Sequence, residues 1–192
     1  MNRNLYLFDF DGTLTCKDTL FGFFKFCFPK VYFINYLIFI PLFIVSRLKI
    51  IDAGFVKEMF ISKFLKGKSY VEINQLAQNY FEQNHQELIY SKADEYIKSL
   101  SNYNDKFIVS ASIDFWIQPF ADYYEMGLIC TKAKYDEQGF FTGKFASPNC
   151  NYQEKKNRIE KEIDLSLYDQ IIAFGDTKGD EAMFSIATKS NF

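Results

Sequence analysis

Three short apolar runs, each closing on a polar cluster, outline the chain: residues 5–10, 106–110 and 170–175. Runs this short read as buried strands. The clusters that end them are Asp-Phe-Asp-Gly, Ser-Ala-Ser and Gly-Asp-Thr. A fourth apolar stretch, residues 127–135, is followed by Asp136-Glu137-Gln138-Gly139 and then residues 140–145, which predicts a β-hairpin. Helical spacing fills residues 114–125, 153–163 and 180–187. Strands alternating with helices predict an α/β, Rossmann-like three-layer core with a mostly parallel sheet. In such sheets ligands bind at the carboxyl ends of the strands, so the three polar clusters are expected to converge.

Residues 20–93 break this rhythm. They read as helical throughout and separate the first strand from the second by roughly 90 residues, too many for a simple crossover. The pattern predicts a helical cap inserted after the first strand, with residues 1–17 and 94–192 as the core domain and 18–93 as the cap. Within the cap, residues 31–46 carry no formal charge and are bounded by Lys30 and Arg47. Asn35 and Pro41 interrupt the run, and a spanning helix needs about 20 apolar residues. A buried or interfacial helix pair is therefore favoured over a membrane span. Eight Phe between Phe21 and Phe43, flanked by lysines, fit either internal packing or a surface that dips into lipid headgroups.

Charge adds to this division. Residues 17–68 hold nine Lys/Arg against three Asp/Glu, whereas the whole chain of 192 residues carries a net charge of −2. The basic half is either a solvated face or one that meets an anionic partner, such as peripheral contact of the cap with an anionic membrane. Four scattered cysteines, Cys16, Cys27, Cys130 and Cys150, lack metal-type spacing and read as reduced thiols. A single histidine, His85, excludes a Ser-His-Asp triad and a multi-histidine metal site. The apolar start is too short for a secretory signal and runs into Asp9 and Asp11, so a cytoplasmic location is expected, including the inner face of the membrane. No basic motif or zinc spacing points to nucleic acid.

The candidate chemistry lies at the strand ends. Asp9 and Asp11 close the first apolar run, and alternation along a strand puts them on one side with Phe8 and Phe10 on the other. Two like charges there are costly unless a cation or shared proton accommodates them. Asp9, Asp11, Ser110, Lys155, Asp176 and Asp180 together supply a nucleophile, an acid/base, phosphate donors and metal ligands. Hard carboxylate oxygens suit magnesium. Lys156 competes with Lys155, and Ser112 with Ser110. Asp176 and Asp180 also suit helix capping.

Phe8-Asp9-Phe10-Asp11-Gly12-Thr13 resembles the first signature of the haloacid-dehalogenase-like hydrolases. Val109-Ser110-Ala111-Ser112 resembles the second. Asn149-Cys150-Asn151-Tyr152-Gln153-Glu154-Lys155 is similar to the third, as found in subfamily IB, the phosphoserine-phosphatase-like branch. Gly175-Asp176-Thr177-Lys178-Gly179-Asp180 resembles the fourth. The resemblance implies a phosphatase in which Asp9 attacks phosphorus and forms an aspartyl-phosphate, while Asp11 acts as general acid and then base. It implies Mg2+ held by Asp9, the backbone carbonyl of Asp11 and Asp176, with Asp180 orienting that shell. Ser110, Lys155 and the Gly12 loop would bind phosphate.

The implied substrate is a phosphomonoester, either small or lipid-linked. Asp18 stands where phosphoserine phosphatases carry an acidic residue facing the substrate amine, and Arg47 is the single arginine in the cap. The chain departs from those enzymes at Gly179, where they carry Asn, and at Ala111-Ser112, where they carry Gly-Gly. The Phe-rich basic cap is loosely similar to caps of phosphatidylglycerophosphate phosphatases, which favours an amphipathic phosphate. A phosphotransferase with the same core would pass the phosphoryl group to an alcohol instead of water.

Overall fold

The computed structural model describes residues 3–191. Strands β1 (Asn4–Phe8), β2 (Asp105–Ile113), β3 (Gly127–Thr131), β6 (Gln170–Phe174) and β7 (Lys189–Asn191) form one sheet in the order β3-β2-β1-β6-β7. Every pair in it is parallel. Side chains alternate between its faces. Leu5, Leu7, Val109, Ile129, Ile171 and Ala173 pack with Ile159 and Ile163 on one face. Tyr6, Phe8, Ile108 and Ile172 pack with Trp116, Ile117 and Phe120 on the other. Helix α7 (Gln153–Glu162) covers the first face, and α6 (Asp114–Tyr123) the second. This is the expected α/β sandwich.

The fourth apolar run divides rather than folding back on itself. Its first five residues are β3 of the main sheet, and only β4 (Ala133–Tyr135) pairs antiparallel with β5 (Phe141–Phe145). Lys132, between the two pieces, donates its backbone N–H to Ser147 Oγ instead of to a strand partner. The expected helix at 180–187 shrinks to α8 (Glu181–Phe184) behind a single 3-10 turn. Strand β7 had no counterpart in the sequence pattern.

Between β1 and β2 the chain is helical: α1 (Thr19–Cys27), α2 (Pro29–Arg47), α3 (Ala53–Leu65), α4 (Tyr70–Leu88) and α5 (Ser91–Ser99). Capping explains several starts. Asp18 accepts from Leu20 N, Asp52 from Phe55 N, and Ser69 and Glu72 form a reciprocal capping box at α4. Helix α5 runs through residue 93, and Asp94 within it accepts from the Tyr124 hydroxyl. Most of the phenylalanines turn inward. Phe23, Phe24 and Phe60 are fully buried, and Phe23 stacks on Trp116 with ring centroids 5.6 Å apart. The outward side of α2 is chiefly aliphatic, with Ile34, Leu37 and Ile38 exposed beside Phe33.

Candidate active site

The ends of β1, β2 and β6 lie side by side because β1 pairs with both others. Asp9 follows β1 directly, and its N–H extends the ladder to Phe174 O at 2.9 Å. Lys155 stands in the first turn of α7, almost fully buried, and its Nζ donates to Asp9 Oδ1 at 2.6 Å and to Asp180 Oδ1 at 2.5 Å. Lys156 is on the surface beside Glu160. Geometry thus separates the two neighbours and brings Lys155, the one that the third-motif register favours, onto the carboxylates. The second oxygen of Asp180 accepts from Thr177 N and Oγ1 at 3.1 and 3.0 Å, so this carboxylate also caps the turn after β6.

Oxygens of Asp9, Asp176 and Asp180 lie within 4.8 Å of one another. Three carboxylates around one ammonium leave two negative charges, with Asp9 and Asp180 buried and Asp176 exposed. Thr13 Oγ1 reaches Asp9 Oδ2 and Asp176 Oδ1 only at 3.4 and 3.5 Å. Hard oxygens with surplus negative charge and weak hydrogen-bond donors fit a divalent cation. Burial pushes the Asp9 pKa up to about 6, against the pull of Lys155. Asp176 is also raised, by partial burial first and then by the charge of Asp180. Burial pulls the Lys155 ammonium down, but Asp9 and Asp180 outweigh it and the net shift is upward. Gly12 closes this side. Its φ is +90°, and a Cβ there would stand 2.2 Å from Asp176 Oδ2.

The Asp11 carboxylate is not one of the group formed by Asp9, Asp176 and Asp180. The chain leaves the strand after Phe8, and the Asp11 carboxylate turns toward the helices. There Oδ1 accepts from Thr19 N at 2.7 Å and Thr19 Oγ1 at 2.6 Å, and Oδ2 accepts from Ser112 Oγ at 2.5 Å. Phe10 packs with Phe8 in one hydrophobic cluster, as alternation along the strand predicts. Ser110 is buried, and its Oγ accepts from Ser112 N at 3.0 Å. The two serines therefore divide the position: one hydroxyl lies within the strand end, the other on Asp11.

A cavity of about 390 Å³ opens beside Ala111, the residue that separates these serines in sequence. Phe21, Phe43, Arg47 and Lys57 are among its walls, together with Asp18 and Asn149. Arg47 and Asp18 thus border the cavity, away from the Asp9 cluster; Asp18 is spent in part on capping α1, and burial followed by the nearby Asp11 charge raises its pKa. Lys57 Nζ donates to Ala111 O at 2.6 Å and to Asn149 Oδ1 at 3.3 Å, tying α3 to the sheet. Burial lowers its pKa despite Asp11 and Asp18 nearby. Behind it, Arg158 donates to the Cys130 and Pro148 carbonyls, each at 2.5 Å, and fixes the loop that leads to α7. Sequence reading missed Thr19, Lys57 and Arg158, and gave Asn149, the first residue of the third motif, no role. Thr19 next to Asp18 is the one with a local signal, as a hydroxyl at a helix start.

The sequence profile of the haloacid dehalogenase-like hydrolase family matches residues 6–185. Protein CicA of Caulobacter vibrioides is 29% identical over 192 residues, covering 98% of this chain and 85% of its own length. A Bordetella pertussis protein of known structure superposes with a TM-score of 0.84 at 17% identity, over 99% of this chain and 89% of that one. A phosphoserine phosphatase with bound substrate superposes with a TM-score of 0.68 at 17% identity, covering 99% of this chain and 85% of its own.

Proposed function

Because the chain belongs to the haloacid dehalogenase-like hydrolases, we propose that this phosphatase-type hydrolase is magnesium-dependent and cleaves phosphomonoesters through an aspartyl-phosphate on Asp9. The observation that carries this reading is the buried Asp9–Lys155–Asp180 bridge with Asp176 at its edge. Asp9, Asp176 and the backbone of Asp11 would hold Mg2+, which when bound supplies charge neutralisation for the phosphoryl oxygens. Asp9 provides the attacking oxygen: its bond to phosphorus forms as the ester oxygen departs. Asp11, oriented by Thr19 and Ser112, gives that oxygen its proton. A water then attacks the acyl-phosphate phosphorus, Asp11 takes the water proton, and phosphate leaves with Asp9 regenerated. Ser110, Lys155 and the Gly12 loop would hold the non-bridging oxygens.

Residues 18–93 act in this reading as a cap that closes the cavity over the core of 1–17 and 94–192. The apolar wall of Phe21 and Phe43 with Lys57 and Arg47 favours a phosphate ester bearing an apolar group over phosphoserine itself. Free thiols at all four cysteines suit a cytoplasmic setting. The test is Asp9→Asn assayed with an aryl phosphate and magnesium: the variant is expected to be inactive, and acid-quenched wild type to carry a phosphoryl adduct on the peptide containing Asp9. Equal turnover by the two proteins would overturn the nucleophile assignment.

A further inference from the structure

Helix α2 turns one row of side chains to the protein and another to the outside. Tyr32, Asn35 and Phe39 are buried at helical spacing, with Phe39 edge-on to Phe60 at 5.3 Å. The opposite row is apolar and open: Val31 is 47% exposed, Ile34 64%, Leu37 65%, Ile38 60%, Ile44 55% and Leu48 66%. The helix has 19 residues and a mean hydropathy of 1.6, long and apolar enough to cross a bilayer by composition. Helices α1 and α3 flank it in the chain and pack on its inner row. Asn35 does not interrupt the outer row, because its Nδ2 donates to Val31 O at 2.9 Å on the buried side.

We propose that this outer row is a docking surface for an anionic lipid bilayer, which presents the cavity beneath α2 to a phosphate ester held in the membrane plane. Charge selects the occupant. Between Thr19 and Ile51 the chain carries Lys25, Lys30, Arg47 and Lys49 and no acidic residue. All four cations are exposed, and they stand beside or at the two ends of the apolar row. A second copy of the same face would bring like charges together, whereas anionic headgroups pair with them while the aliphatic row enters the acyl boundary. Position supports the same occupant. Ile40, Phe43, Ile44 and Arg47 of α2 are also cavity wall, so the helix that meets lipid borders the space leading to Lys57 and Ala111. The substrate part of this inference rests on the phosphatase reading, and the docking part stands apart from it.

Vesicle flotation at low salt tests the docking, using phosphatidylglycerol/phosphatidylcholine vesicles against phosphatidylcholine alone. The wild type is expected to float with the anionic vesicles and to lose at least ~10-fold in partitioning on the neutral ones. Ile34→Glu/Leu37→Glu/Ile38→Glu should lose at least ~10-fold on anionic vesicles, yet hydrolyse a soluble aryl phosphate at the wild-type rate, which also certifies its fold. Wild type remaining unbound, or the triple variant floating equally well, would overturn the inference. So would a wild-type dimer that the triple variant dissolves with no vesicle binding, which makes the face a contact between copies. Failure of the wild type itself on the aryl phosphate would instead strike the phosphatase reading and leave the flotation result standing.

Discussion

Asp9 and Asp180 share one ammonium, and that sharing leaves Asp176 without a strong partner of its own. A divalent cation relieves the repulsion among the three, so magnesium is expected to raise the melting temperature of the wild type. Asp176→Asn should be at least as stable as wild type without metal and should lose most of the magnesium-induced rise, as read by thermal denaturation in magnesium and in chelator. The sign with pH follows from Asp9. In the metal-free protein its pKa is raised to about 6, so across the interval from its ordinary value up to about 6 the folded chain keeps a proton that the unfolded chain has released. That group makes the metal-free fold less stable as pH rises through the window. Magnesium competes with the same proton, so its stabilising effect should shrink as pH falls below about 6. A magnesium shift that stays constant down to pH 5 would contradict Asp9 as a ligand. Gly12→Ala fails for another reason: φ of +90° costs an L-residue roughly 1–2 kcal/mol, and the added Cβ collides with Asp176. Both loss of stability and loss of the magnesium response are expected. At this scale the acids were readable because charge at the end of an apolar run is conspicuous. Lys155 was separable from Lys156 only through the register of the third motif, since burial of one and partial exposure of the other depends on how α7 docks.

Lys57 ties helix α3 to β2, as Glu58 ties it to β5, and the consequences of cutting the Lys57 tie differ from those of losing a core contact. Lys57→Met replaces a partly buried ammonium by an apolar chain of similar shape. Ala111 O keeps a donor in Thr131 Oγ1 at 2.7 Å, so no carbonyl is orphaned. The stability change should stay below about 1.5 kcal/mol. The cavity, however, loses a cation close to Asp18, and on the proposed reading KM for an anionic ester should rise roughly 10-fold with kcat little altered. An unchanged KM would remove Lys57 from substrate recognition. Thr19→Val tests the other junction, at the start of α1. It removes one of the donors that hold Asp11, and kcat should fall roughly 10-fold, less than the ~100-fold or more that follows loss of a general acid itself. Elements were legible where composition changes abruptly, as for β1, β2, β6 and α7. The split of residues 127–135 was not, because Lys132 alone marks the point where main-sheet pairing ends. Strand β7 is Lys-Ser-Asn, a polar triplet whose conformation comes wholly from pairing with β6.

Across the whole molecule, the helices that follow β1 and the sheet share a single aromatic interior. Phe23 of α1 stacks on Trp116 of α6, Phe24 meets the same indole edge-on at 6.2 Å, and Tyr80 of α4 closes on Phe23 at 5.5 Å. The Trp116 indole N–H donates to Thr19 Oγ1 at 3.1 Å, and that hydroxyl donates onward to Asp11. Packing and the placement of the Asp11 carboxylate therefore depend on one contact region. A helical insert held only by its own core would separate before the sheet melts. One that shares buried rings with α6 cannot leave without exposing them, so cooperative unfolding is expected. Trp116 is the only tryptophan in the chain, and it sits at this junction. Its fluorescence and the far-ultraviolet circular dichroism should follow the same urea transition. Phe23→Ala removes a fully buried ring and should lower stability by about 3–5 kcal/mol, moving both signals together. A fluorescence change that precedes the loss of helical signal would mean that the helices come away first. The cap would then be a separately folding body whose opening requires breaking the Phe23–Trp116 stack, and Asp11 would lose its Thr19 partner in the same step.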